Sequence, residues 1–245
     1  MVPVTGGSAS APPIALWAAP RSRSTAFLRA MLERGDLHVV HEPFSYLSDQ
    51  GYFDVGGSRC TSAGELLAAL LSASSSRRVF FKDTTDYRYD TLLADRRLYR
   101  DLINTFMIRE PSAAVASHLR IDPAATVDAI GFEHLHAIFC RVRQETGETP
   151  LVIDGDDLVA NPEAMVRAYC ERVGLAYVPD ALRWETGTQA AWRRTSRWHE
   201  DVERSTGLGV TPRRAPLPPD RRERDLVRHH QPFYDALYAH RLVAG

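Results

Sequence analysis

The 245-residue sequence has few cysteines, no long apolar run and no excess of charge of either sign. Its three cysteines, Cys60, Cys140 and Cys170, lack CxxC spacing. This argues against a disulfide framework or a zinc site and favours a reducing, cytoplasmic location. No apolar run approaches the ~18 residues of a membrane-spanning helix, and the N-terminus lacks the regions of a signal peptide. The formal net charge of −1 gives no indication of a nucleic acid or a membrane as partner.

The composition is that of a globular protein with a sizeable core, since 44% of the residues are hydrophobic and 25% are charged. A chain of this length fits one α/β domain with a small lid. Residues 1–13 are rich in Gly, Ser, Ala and Pro, which predicts a disordered tail. We therefore expect a single domain over residues 14–245.

Short apolar runs alternate with helical stretches along the chain, which predicts an α/β fold of three layers, a central parallel sheet with helices on both faces. The predicted strands cover 14–18, 37–40, 78–82, 103–108 and 150–153. The predicted helices cover 24–33, 64–73, 90–101, 111–119, 126–146, 162–173 and 220–242. Two stretches, 45–63 and 184–219, show no clear period, and the tryptophans of the second predict a lid or cofactor-closing segment.

Residues 14–28 have the layout of a strand, a polar turn and a helix start. Pro20 ends the strand, and Ser22, Ser24 and Thr25 are residue types that cap helices. The N-terminus of a helix presents free N–H groups and a positive dipole end, and Arg21 and Arg23 add full charges. The pattern predicts an oxyanion site, although an ordinary turn with two surface arginines would have the same sequence pattern.

A second anchor follows the strand predicted at 103–108, where Arg109 is succeeded by Pro111 and, eight residues after the arginine, by Ser117. The carboxyl ends of parallel strands line one crevice, so Arg109 and the 20–25 loop are expected to share it. A guanidinium with a nearby hydroxyl forms a good oxyanion clamp. Taken without the first motif, these residues have an ordinary structural explanation. Arg109 would pair with a carboxylate, and Ser117 would fill a contact between helices.

Together the two motifs resemble those of the sulfotransferases that use PAPS (3′-phosphoadenosine 5′-phosphosulfate), whose fold is P-loop-like. That family's loop, P-[KR]-S-G-[ST]-T, reads Pro20-Arg21-Ser22-Arg23-Ser24-Thr25 here. Its second motif, R-x-P-x-x-x-x-x-S, reads Arg109 to Ser117. The segments 153–165 and PFYDALYAHRL also resemble family stretches, so the similarity covers about residues 14–245.

The resemblance implies that PAPS is the donor, that PAP (3′,5′-bisphosphoadenosine) is the product, and that no metal is required. Arg21 would contact the bridging oxygen and the departing 5′-phosphate, and Ser24 and Thr25, with the helix N-terminus, would hold the 5′-phosphate oxygens. Ser22 and Arg23 of the same loop are also expected to bind the cofactor. Arg109 and Ser117 would hold the 3′-phosphate. Arg23 replaces the family's loop glycine, so it is either strained or an additional contact to the anion.

The resemblance suggests two positions for the general base. Many cytosolic members use the His of a K-T-H segment, but the matching Lys82-Asp83-Thr84 has Thr in its place. Others use a Glu about twenty residues past the basic residue of the loop, and Glu42 lies 21 residues after Arg21. We expect Glu42 to be the base, with His41 and Asp83 as reserves. Lys82 is expected either to touch the sulfonate or to pair with Asp83 or Asp86.

The expected function is therefore sulfuryl transfer to a hydroxyl or amine of a small-molecule acceptor. An ATP-dependent phosphotransferase is the alternative, although the loop has neither the Gly nor the Lys of G-x-x-x-x-G-K-[ST]. A non-catalytic nucleotide-binding protein on the same scaffold is the third hypothesis. The sequence does not specify the oligomeric state. Weak candidates for closing the cofactor site are Arg193, Arg194, Trp198 and Ser205, and candidates for an apolar acceptor site are Tyr46, Tyr52, Phe53, Tyr87, Tyr89, Phe132 and Trp184.

Overall fold

The computed structural model describes residues 11–209 and 218–244. Its strands are β1 (Ile14–Ala18), β2 (His38–His41), β3 (Phe53–Val55), β4 (Ser58–Cys60), β5 (Val79–Thr84), β6 (Ile103–Ile108) and β7 (Leu151–Asp154). Five of them form a parallel sheet in the order β2-β5-β1-β6-β7, and β3 and β4 form a separate antiparallel hairpin. The predicted parallel sheet is thus confirmed.

Helices follow most strands. They are α1 (Ser24–Glu33), α2 (Pro43–Gln50), α3 (Ala63–Ala73), α4 (Asp90–Leu93), α5 (Arg97–Arg100), α6 (Pro111–Leu119), α7 (Val127–Ile130), α8 (Phe132–Thr146), α9 (Gly155–Ala160), α10 (Pro162–Val173), α11 (Glu200–Glu203) and α12 (Arg221–Tyr238). Two 3-10 helices cover Pro179–Leu182 and Ala190–Trp198.

The central strand β1 is buried along its whole length and separates two apolar cores. Its side chains alternate between the faces of the sheet, as the period of two requires. Trp17 packs in one core with residues of α3, α8 and α12, and Leu16 packs in the other with residues of α1 and α10. Helices on both faces confirm the predicted three-layer architecture, and β1, buried on both sides, is a continuous apolar run for that reason.

Several predicted elements need correction. The helix expected over 90–101 is two short helices, and the one expected over 126–146 breaks at Gly131. Gly131 has φ 79°, and a Cβ there would lie 2.8 Å from Pro20 Cδ and 2.9 Å from the Thr85 carbonyl oxygen, so only glycine fits. The last helix ends at Tyr238 rather than at residue 242. The stretch 45–63, for which the sequence predicts no helix or strand, holds most of α2 and the hairpin of β3 and β4. The sequence pattern also does not predict the short helix α9.

Most of the predicted tail, residues 1–10, lies outside the described residues. Within 11–13, the Pro13 carbonyl accepts a hydrogen bond from Ile103 N at 2.9 Å, and the Pro12 carbonyl accepts one from Arg78 Nε at 2.8 Å. Residues 210–217 of the predicted lid are also outside the described part. Among the helices that the structure describes, none is long and apolar enough to cross a membrane.

Candidate active site

A groove crosses the carboxyl edge of the sheet, where the predicted site residues converge. Of those residues, Arg21, Arg23, Ser24, Thr25, Glu42, Arg109 and Ser117 line it. Two do not: Ser22 is completely buried, and the side chain of His41 is 1% exposed. Parallel strands explain the convergence, because the residues after β1, β2, β5 and β6 all emerge at the same edge.

The loop between β1 and α1 holds two arginines in the left-handed backbone region, Arg21 with φ 66° and Arg23 with φ 68°. Within residues 11–209 and 218–244, Glu42 is the third non-glycine residue with positive φ, and all three line the groove. Each such residue costs about 1–2 kcal/mol relative to the right-handed region. Strain of this kind persists only where surrounding contacts fix it, and it clusters at functional sites.

Arg23, which takes the place of the expected loop glycine, is fixed by Asp156 at the start of α9. Its Nε and Nη2 both donate to Asp156 Oδ1, at 3.0 and 2.9 Å. A Cβ on Gly155 would lie 2.4 Å from the Ser22 carbonyl oxygen, so glycine is required for the turn after β7 to approach the loop. Sequence reasoning missed Asp156, although the Gly-Asp-Asp run directly after a predicted strand was a usable signal.

Arg21, Arg109 and Ser117 form one connected group. Arg21 Nε donates to Ser117 Oγ at 3.0 Å, and Arg109 Nη1 donates to the Arg21 carbonyl oxygen at 3.3 Å. Arg109 Nε also lies 3.4 Å from Asp156 Oδ1. Burial, together with Arg109 and Arg120, lowers the pKa of Arg21 to about 10 despite the opposing charge of Asp201. Arg21 therefore remains a cation at neutral pH, and the two predicted anion clamps are contiguous.

Glu42, between β2 and α2, is paired with Lys82. Lys82 Nζ donates to Glu42 Oε1, and His41 Nε2 lies 3.6 Å from the same oxygen. Burial alone would raise the pKa of Glu42, but His41, Lys82 and His199 hold it at about 2. The carboxylate is therefore ionised, and Lys82 pairs with Glu42 rather than with Asp83 or Asp86 as expected.

The two reserve bases lie outside the groove. Asp83 is completely buried and accepts hydrogen bonds from the amides of Phe44 and Ser45 at 2.7 and 3.2 Å, so it anchors the first turn of α2. Burial raises its pKa to about 7. His41 packs against the rings of Trp192 and His199, and burial lowers its pKa to about 4, which leaves it neutral.

Residues 190–203, called the cap segment below, cover the loop. Arg21 Nη1 donates to the Trp198 carbonyl, and Arg21 Nη2 lies 3.8 Å from Asp201 Oδ2. His199 Nδ1 lies 3.1 Å from Thr25 Oγ1, and its Nε2 lies 3.1 Å from Thr195 Oγ1. His199 was missed because a lone histidine in an aperiodic stretch carries no sequence signal. Of the weak candidates, Arg194, Trp198 and Ser205 line the groove, whereas Arg193 does not.

The aromatic residues considered for an apolar acceptor site do not converge on the groove. Of the seven aromatic residues proposed for it, all of them in the described ranges, Tyr87 alone lines the groove. Tyr89, Phe132 and Trp184 are buried in the cores or under the cap segment. The groove beside Glu42 is instead polar, and its lining there includes Ser45, Asp49, Lys82, Thr84, Asp86 and Tyr87.

The described residues contain one group of three side chains that could hold a metal ion, His41, Glu42 and His199, with ligand atoms within 4.8 Å of one another. The Lys82 ammonium on Glu42 opposes a cation at that point. The predicted anion-binding side chains of the 20–25 loop and the second motif that line the groove are guanidinium and hydroxyl groups, which suit an anion.

The chain belongs to the sulfotransferase domain family, because the family model matches residues 13–241. Two curated relatives from Arabidopsis thaliana are similar over 91% of this chain: branched-chain-amino-acid aminotransferase-like protein 1, 28% identical, and protein 2, 27% identical. The chain spans 41% of the length of each of them.

The solved structures to which the chain is similar include two bacterial proteins. The sulfotransferase domain of a Synechococcus olefin synthase is 13% identical with a TM-score of 0.45, and the match covers 91% of this chain and 96% of that one. A sulfotransferase from Alicyclobacillus acidocaldarius is 16% identical with a TM-score of 0.48, with 80% and 97% covered.

Proposed function

We propose that the protein is a PAPS-dependent sulfotransferase that moves a sulfuryl group to a hydroxyl or amine of a small-molecule acceptor. The observation that carries the proposal is the convergence of Arg21, Arg109 and Ser117 in the same groove as Glu42. A donor with a phosphosulfate and a separate 3′-phosphate needs two anion clamps next to each other. Family membership supports the same reaction class.

The loop and the second motif divide the binding of the donor between them. Ser24 and Thr25, at the N-terminus of α1, would hold the 5′-phosphate, because free helix N–H groups and the dipole both favour an anion there. Arg109 and Ser117 would hold the 3′-phosphate. Arg23, already paired with Asp156, would fix the loop rather than contribute a free charge.

In the transfer step, Glu42 takes the proton of the acceptor as the acceptor atom attacks sulfur. A new bond to sulfur forms, the bond between sulfur and the 5′-phosphate oxygen breaks, and PAP departs. Arg21 stabilises the charge that develops on the leaving phosphate. The protein's contribution is in-line positioning, proton removal and neutralisation of charge.

The polar lining beside Glu42 favours an acceptor rich in hydroxyl or amine groups over an extended aromatic one. Asp49, Asp86 and Ser45 face this part of the groove. Burial raises the pKa of Asp86 to about 6, so it carries a negative charge at neutral pH. Such side chains bind polar acceptor groups through hydrogen bonds.

The test is turnover of PAPS with a panel of polar small-molecule acceptors, comparing wild type with Glu42→Gln. We expect Glu42→Gln to lower kcat by at least about 100-fold, the usual effect of a general base, with little change in KM for the donor. Asp54→Asn, a carboxylate-to-amide change on the exposed hairpin, is the matched control and should leave kcat unchanged.

Three results would contradict parts of this proposal. Unchanged turnover in Glu42→Gln would remove Glu42 as the base. Magnesium-dependent consumption of ATP in place of PAPS would favour the phosphotransferase. Nucleotide binding without turnover across the acceptor panel would favour a non-catalytic binding protein.

A further inference from the structure

Lys82 is the single lysine of the sequence, whose 30 basic residues are otherwise all arginine. A chain that uses arginine at every other lysine or arginine position has its one lysine in the lining of the groove, beside Glu42. The two residues differ physically: arginine is a planar fork of fixed geometry, and lysine is a compact point charge on a flexible stem with three donors. A lysine is therefore better suited than an arginine to a position at which the cation exchanges one anionic partner for another.

Lys82 lies on β5, between β1, which leads into the 20–25 loop, and β2, which is followed by Glu42. In the sheet it pairs with Leu16 of β1 on one side, two residues before the end of that strand, and with His41 of β2 on the other. Its side chain is 2% exposed, and its ammonium donates to Glu42 Oε1. The ammonium thus contacts the proposed base from the strand that neighbours β1, the strand that leads into the loop.

This pairing makes Glu42 a weak base in the free protein. The groups that face it are Lys82 from β5, His41 from β2 and His199 from the cap segment, and its pKa is lowered to about 2 against the effect of burial. Near neutral pH the two histidines are uncharged, because burial lowers their pKa values, so the Lys82 ammonium is the cation that holds the carboxylate there. A carboxylate of such low pKa is poorly matched to removing a proton near neutral pH. If the ammonium left, burial would raise the pKa of Glu42.

We propose that Lys82 is a positioning residue that switches Glu42 on when the donor binds. In the free protein its ammonium holds Glu42, and in the donor complex it turns to the anionic sulfonate oxygens and releases the carboxylate to the acceptor. The inference rests on the proposed sulfuryl transfer. It explains how the site keeps its base inactive until the group to be transferred is in place.

A single lysine allows a direct test by NMR, because ¹³C-lysine incorporated during expression gives one Cε signal that needs no assignment. The intact protein is titrated with PAP and, separately, with PAPS, and saturation is verified by the rise in melting temperature. We expect PAPS to move the Lys82 signal, and PAP, which lacks the sulfonate, to leave it near its position in the free protein. Glu42→Gln provides the reference signal of an unpaired Lys82.

Equal displacement by PAP and PAPS, or no displacement by saturating PAPS, would overturn the switch while leaving the proposed function intact. Failure of both nucleotides to raise the melting temperature would remove the proposed function and the switch together. Kinetics give a second readout with Lys82→Arg, which keeps the charge but not the compact, mobile ammonium. We expect donor KM within about threefold of wild type and kcat at least about tenfold lower, and equal loss in both would contradict the switch.

Discussion

Three strained residues define the candidate site more sharply than the motifs do. Arg21, Arg23 and Glu42 have φ values of 66°, 68° and 47°, and each is fixed by contacts that span the sheet edge. Arg21 is bound by Ser117 and Trp198, and Arg23 by Asp156. The motif positions followed from the sequence, because short strand-to-helix loops have local signals. The residues that bind Arg21 and Arg23 could not be predicted from the sequence, because they lie in distant parts of the chain.

Asp156 offers a test at this scale. Asp156→Ala would remove the carboxylate that pairs with the guanidinium groups of both Arg23 and Arg109. We expect a loss of about 1–3 kcal/mol in the free energy of unfolding, the range for a partly buried charged hydrogen bond. The adjacent Asp157, which is 43% exposed and pairs with Arg241, is the control, and Asp157→Ala should cost about 1 kcal/mol or less. Urea denaturation measures both, and equal losses would show that Asp156 does not fix the loop.

At the scale of elements, the five strands of the parallel sheet were predicted within one or two residues, because buried parallel strands are continuous apolar runs bounded by turns. The antiparallel hairpin of β3 and β4 was not predicted. Helix breaks were less predictable. The break at Gly131 depends on a close approach to Pro20 and Thr85, which is a tertiary constraint. The cap segment has no helical period because its 3-10 helix is kinked at Trp192 and Thr195. Its role became visible only through its contacts.

The docking of the cap segment depends on His199. His199→Ala removes the hydrogen bonds to Thr25 and Thr195, each worth about 1 kcal/mol, so we expect PAP to bind about 5- to 30-fold more weakly. Trypsin should also cut faster at the arginines of the cap segment. Arg193→Lys, at an exposed position of the same segment, keeps the trypsin site and is the control. Unchanged PAP affinity and unchanged cleavage in His199→Ala would show that the segment is held by other contacts.

At the scale of the whole molecule, the fold follows from alternating apolar strands and amphipathic helices, and the two cores on either face of β1 stabilise it. Burial of histidines in these layers couples stability to pH. His230 on α12 is completely buried beside Phe132, and burial, reinforced by His229, lowers its pKa to about 4, although Glu133 and Asp128 act in the opposite direction.

The sign of the pH effect follows from this lowered pKa. Between about pH 6.5 and pH 4 the unfolded chain binds a proton at His230 that the folded protein does not, so stability falls as pH drops through that window. His230→Phe should flatten this dependence by up to about 3 kcal/mol, since one pKa unit corresponds to 1.36 kcal/mol. His240→Gln, at an exposed position that does not act on His230, is the control. Thermal unfolding at stepped pH measures both, and a dependence unchanged by His230→Phe would contradict the assignment.

The central claim is that Arg21 and Arg109 form two adjacent clamps for a nucleotide with phosphates at both the 3′ and the 5′ positions. Calorimetric titration of the protein with PAP and with 5′-AMP tests it most directly. We expect PAP to bind at least about tenfold more tightly, because charge-assisted hydrogen bonds to the 3′-phosphate are each worth about 1.5–3 kcal/mol. Arg109→Ala should remove most of that preference, and Arg59→Ala, on the exposed hairpin, should keep it. Equal affinity for PAP and 5′-AMP in the wild-type protein would contradict the account.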